Sequence, residues 1–103
     1  MNAADSRPLF TLSVTAEILG VHPRTLMIYE EENLVVPFRT KTNRRRYSQA
    51  NIKKLQFIRF LTNKKGINLA GVHSILSLIK EAENQGINLQ EKIFPNFLER
   101  KVI

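Results

Sequence analysis

A chain of 103 residues, 43% of them hydrophobic, is long enough for one folded domain if several helices share its core. The absence of cysteine excludes a disulfide framework and any thiolate metal site, and His22 and His73 are too few and too far apart for an imidazole site. A formal net charge of +7 points to a polyanionic partner, either nucleic acid or an anionic membrane surface, and composition does not choose between them.

Residues 1–8 read as a flexible polar arm, and Leu9 to Leu12 suit one short strand or entry into the core. Ser13 offers an N-cap for a first helix running to Leu19, with Val14, Ala16, Ile18 and Leu19 as its apolar face. Gly20 is placed to end that helix in the left-handed conformation, and Pro23 to open a second after a turn over Gly20 to His22. In the second helix Leu26, Ile28 and Tyr29 keep one side apolar, and Arg24, Thr25, Met27, Ile28 and Tyr29 are candidates for an outer face. About ten helical residues span roughly 15 Å, enough to cross a DNA major groove about 12 Å wide. The pattern is that of a helix-turn-helix.

Asn33 is a plausible left-handed cap, and Leu34 to Val36 read as extended up to Pro37. Thr42 and Asn43 then suit the turn of a hairpin between a Phe38 side and a Tyr47 side, with a basic tip. Ser48 is the expected N-cap of a third helix, whose Ile52, Leu55, Ile58 and Leu61 recur at helical spacing, widened by Phe57 and Phe60. Lys64, Lys65 and Gly66 close it. Asn68 opens a fourth helix with Leu69, Val72, Ile75, Leu76, Ile79 and Ala82 on its core face, ending near Gly86. Asn88 and Glu91 have the form of a capping box for a fifth, short helix that Pro95 breaks. Leu26, Leu34, Leu55, Ile58, Leu61, Val72, Leu76 and Ile79 are the expected core.

Between Arg39 and Lys65 there are ten basic residues and no acidic one, which predicts one continuous basic surface for backbone phosphates. For Lys53, Lys54, Arg59, Lys64 and Lys65 the wet face of an amphipathic helix is an equal alternative. The adjacent Arg44, Arg45 and Arg46 repel one another unless an anion is near, so phosphate contact is expected there. No apolar run reaches the length of a membrane span, and the N-terminus lacks the form of a signal peptide, so a cytoplasmic protein is expected. With no carboxylate pair, nucleophile arrangement or glycine-rich phosphate loop, neither an enzyme nor a cofactor site is expected.

The order ILGVHPRTLMIYEEENLVVPFRTKTNRRRYSQANIKKLQFIRFLTNKKGINLAGVHSIL, with markers that include Gly20, Thr25, Leu26, Tyr29, Glu30, Pro37, Arg39, Arg45, Tyr47 and Gly66, resembles the DNA-binding domain of the MerR family of transcriptional regulators. The segment Ile67 to Val72 further resembles the HspR branch, repressors of heat-shock chaperone genes. The resemblance implies a mainly α winged helix-turn-helix domain over residues 9–86, with a short two-stranded wing and a helical hairpin. It also implies a dimer on an inverted repeat of double-stranded DNA. By the same resemblance Arg24 and Thr25 face the groove, and Tyr29 with the Arg45 to Tyr47 wing touches phosphates. Together with Arg39, Arg44 and Arg46 these are the candidate DNA-binding residues.

Departures from the family pattern are Met27 and Ile28, where an arginine and an aromatic or polar residue are usual, and Asn33 in place of glycine. Glu30 is expected to pair with wing arginines, whereas Glu31 and Glu32 would restrict which DNA approaches. Full-length family members usually continue into a long dimerisation helix and an effector domain, and neither is expected of the short segment after Gly86. The apolar tail over 87–103 is expected to dimerise, through Ile93, Phe94, Phe97 and Leu98. A chaperone co-regulator is the second occupant of that surface and intramolecular packing the third. Two alternatives to a repressor share the fold: a chaperone-modulator-like protein-binding module and an excisionase-like architectural DNA binder.

Overall fold

The computed structural model describes residues 3–97. The chain forms two compact units, one reaching to Gln56 and the other beginning at Phe57.

In the first unit, Ala3–Ser6 form a 3-10 turn, where a flexible arm was expected, and Asp5 there accepts a hydrogen bond from Lys53 Nζ at 3.0 Å. Strand β1 (Phe10–Thr11) leads into helix α1 (Leu12–Leu19). Its N-cap is Thr11, not Ser13: the extended backbone that Thr11 inherits from β1 aims its hydroxyl at the Val14 N–H, 3.2 Å away. Starting at Leu12 also rotates the apolar face. Thr15 and Ala16 are buried and Leu12 and Leu19 half-buried, while Val14 and Ile18 are 43% and 39% exposed. The stripe is therefore 12, 15, 16, 19, one helical face.

Gly20 ends α1 at φ 67°, with the Val21 N–H donating to the Ala16 carbonyl and the Gly20 N–H to Glu17, the paired bonds of a left-handed helix stop. Helix α2 (Pro23–Glu31) buries Leu26 and Tyr29; each such side chain contributes about 1.5–3 kcal/mol of burial. Asn33, at φ 57°, closes it by the same device, the Leu34 N–H reaching the Tyr29 carbonyl.

Strands β2 (Phe38–Arg39) and β3 (Arg45–Tyr47) form the hairpin, but β1 joins β3 on its other side, so the sheet has three strands in the order β1-β3-β2, all antiparallel. Phe10 lies opposite Tyr47, and Phe38 opposite Arg46. The hairpin turns over Lys41 to Asn43, with the Asn43 N–H on the Thr40 carbonyl at 2.8 Å and Asn43 left-handed at φ 63°, a three-residue loop of common type.

Helix α3 (Gln49–Arg59) starts on Ser48, whose hydroxyl accepts from the Asn51 N–H at 3.0 Å while Asn51 Oδ1 accepts from the Ser48 N–H at 2.9 Å. Its Ile52 and Leu55 are buried.

In the second unit the helix widens into a π turn over Phe60–Lys64 before Gly66. Helix α4 (Leu69–Asn84) is capped by Asn68, which accepts the Gly71 N–H at 2.8 Å. A Cβ at Gly71 would lie 2.7 Å from the Ile67 side chain, which would have to shift. Phe57, Ile58, Leu61, Val72 and Ile79 are buried. Of the eight expected core residues only Leu76 is half-buried. Helix α5 (Leu89–Ile93) opens on the expected Asn88 and Glu91 box.

Candidate nucleic-acid interface

Helix α2 begins where the turn after α1 delivers Pro23, whose fixed φ suits the first helical position. His22 caps it: Nδ1 accepts the Arg24 N–H at 3.0 Å. The Arg24 side chain is exposed and Thr25 half-buried, and Met27 and Ile28 are half-buried too. Tyr29, expected at a phosphate, is instead 3% exposed and belongs to the apolar side of the helix. Its ring shares the face of Leu26, three residues earlier.

The wing is pinned to α2 by one carboxylate. Glu30 accepts from Arg45 Nε at 2.7 Å and from Arg39 Nη2 at 3.1 Å through each of its two oxygens. Arg39 Nη1 also reaches the Asn43 carbonyl at 3.1 Å, so the same side chain braces the turn. The anion that the arginine cluster requires is thus internal for Arg39 and Arg45. Arg44 is exposed at the tip, and Arg46, on the opposite face of β3 from Arg45, donates to the Arg45 carbonyl at 2.9 Å. Tyr47 is the second correction among the expected phosphate contacts. It is 1% exposed, its hydroxyl has no partner within the described residues, and burial pushes its phenol up.

Arg44, Arg45 and Arg46 line a cleft of about 490 Å³ together with Asn43, Pro23 and the first turn of α1, Thr11 to Ser13. Guanidinium groups and helix N-termini facing one cleft favour an anion. The expected basic surface is not free of acid, because Lys53 is paired with Asp5. Of the ten basic residues, Arg59, Lys64 and Lys65 fall in the second unit, where Lys65 lies over the Phe60 ring. Sequence reasoning missed His22 as the cap of α2, although a polar residue before proline is its signal, and missed Thr11 at the cleft because a two-residue strand leaves no periodicity.

Two of the tail's aromatic rings take the third of its expected roles, packing within the chain. Phe94 and Phe97 pack against Phe57 and Phe60 of the same chain, with Phe57 edge-on to Phe94 at 5.5 Å and to Phe97 at 5.2 Å. Ile93 is 59% exposed, and Leu98 lies outside the described residues. Among the described residues no cluster of side chains could hold a metal ion, and no helix is long and apolar enough to cross a membrane.

Two helices joined by a glycine turn, the second clamped to a basic hairpin, define a winged helix-turn-helix protein. The chain belongs to the MerR HTH family of regulatory proteins, transcription regulators that bind DNA, and the family pattern matches residues 10–79. It is 40% identical over 88 residues to a candidate heat shock protein, HspR, of Streptomyces coelicolor, an alignment covering 85% of this chain and 56% of that protein. It is also 37% identical over 87 residues to the HTH-type transcriptional regulators GlnR of Bacillus anthracis and Bacillus cereus, covering 84% of this chain and 66% of each. The chain thus spans between half and two thirds of the length of these curated relatives.

Proposed function

We propose that this chain is the sequence-specific DNA-binding part of a cytoplasmic transcriptional repressor of the heat-shock, HspR-like type. The observation that carries the reading is a cleft shared by Arg44, Arg45, Arg46 and the start of α2, with Arg24 exposed one residue beyond. In it Arg24 and Thr25 read base edges in the major groove, while Arg44 and Arg46 hold backbone phosphates. The likeness to HspR over most of the chain supports the heat-shock assignment. The target is an inverted repeat bound by a homodimer, with exposed Ile93 at the contact and a chaperone as co-regulator.

One observation favours a protein partner on the same fold: Val36 and Phe38, beside the wing arginines, are 62% and 58% exposed. Titration against inverted-repeat and scrambled duplexes at two salt concentrations separates the readings. Preference for the repeat supports the repressor, equal salt-dependent binding the architectural DNA binder, and no binding the protein-binding module.

A further inference from the structure

The wing carries two kinds of arginine. Arg44 is exposed and the half-buried Arg46 alternates to the face of β3 opposite Arg45, whereas Arg39 and Arg45 are both turned to Glu30. The Glu30 side chain is only 18% exposed, and its partners are 36% and 20% exposed. A carboxylate taking a two-pronged contact from one strand and a 2.7 Å bond from the next holds both strands at a fixed distance from α2. It also cancels positive charge that would otherwise bind any phosphate.

We infer that Glu30 is a specificity-determining positioning residue, which withholds Arg39 and Arg45 from the DNA backbone and fixes the wing against the recognition helix so that non-specific binding is suppressed. This rests on the DNA-binding reading above. Non-specific affinity arises from counterions released per phosphate neutralised. Two arginines that swing freely would raise it on every sequence alike. Bound to Glu30 they add nothing to scrambled DNA, and the phosphates are left to side chains whose position relative to α2 is set. Discrimination then comes from restraint as much as from contact.

The test uses the full chain, a duplex selected by the wild-type protein from a random-sequence pool, and a scrambled duplex of equal composition. Glu30→Gln keeps the shape and removes the charge. It should bind scrambled DNA several-fold more tightly at low salt, with the slope of log affinity against log salt steeper by about 1 to 2, and the ratio of selected to scrambled affinity should fall about tenfold. An unchanged ratio and slope overturns the inference, as does an equal loss on both duplexes in a variant whose circular dichroism is native, which would make Glu30 a structural prop. Should Glu30→Gln not fold, Arg39→Lys with Arg45→Lys keeps both charges but loses the Arg45 Nε bond and the two-nitrogen reach of Arg39 to Glu30 and the Asn43 carbonyl; a lowered ratio supports the inference and an unchanged ratio overturns it. A wild-type protein that does not distinguish the two duplexes refutes the DNA-reading assignment itself, a result separate from any of these.

Discussion

His22 Nδ1 accepts the backbone N–H of Arg24 at 3.0 Å, so the helix that carries the candidate groove contacts starts on a histidine cap. A helix start leaves four N–H groups without partners, and a capping side chain satisfies one of them. His22→Ala should therefore lower stability by about 1 kcal/mol in urea unfolding, and His22→Asn should restore most of it. An alanine variant as stable as wild type would mean that water serves the Arg24 amide equally well.

The Glu30 clamp makes acid stability a second measurable property. Burial pushes the Glu30 carboxyl up, but hydrogen bonds from Arg45 and Arg39 and the charges of both outweigh it, so its pKa is lowered. A carboxyl whose pKa is lower folded than unfolded stabilises the fold in its ionised form. That contribution is complete above the unfolded pKa and is lost as pH falls through the folded one. Urea midpoints measured from neutral pH into the acid range should fall on acidification, and Glu30→Gln should flatten that fall. Parallel curves for the two proteins would contradict it.

Much of this arrangement was legible because the chain marks it with residues of narrow conformational use. Gly20, Pro23 and Asn33 bound α2, and Ser48, Asn68 and Asn88 cap the helices expected of them. Glu30 was the expected partner of the wing arginines because the stretch from Arg39 to Lys65 holds no acidic residue of its own. What escaped was decided by tertiary packing. Thr11 and Ser13 are chemically equivalent caps until β1 pairs with β3 and fixes the backbone of Thr11. Tyr29 and Tyr47 stand beside charged residues in sequence, yet each follows a core periodicity that buries its ring. The π turn at Phe60–Lys64 has no local signal at all.

The aromatic tail yields a third prediction. Phe57 is 2% exposed and meets Phe94 and Phe97 edge-on, so Phe57→Ala should cost about 3–5 kcal/mol. Ile93 is exposed and should behave in the opposite way. Ile93→Glu should leave the unfolding midpoint near wild type and shift a dimer toward monomer in sedimentation. If Ile93→Glu sediments as wild type does, the subunit contact lies on another surface.

The last prediction separates holding DNA from reading it, because the two sets of side chains should fail differently. Arg44 is exposed at the wing tip and lines the anion-favouring cleft. Arg44→Ala should weaken binding to every duplex alike, and the loss of one released counterion should reduce the salt slope by about 1. Arg24 is exposed in the first turn of α2 and is the proposed contact to a base edge. Its replacement by alanine should remove on the order of 1 to 3 kcal/mol of discrimination at one base-pair position, with scrambled DNA little affected. Binding isotherms for both variants on selected and scrambled duplexes give the comparison directly. Equal weakening of both duplexes by both variants would show that α2 holds the duplex without reading it. If neither variant alters binding at all, the basic face serves a protein partner, with the exposed Phe38 as the first residue to replace.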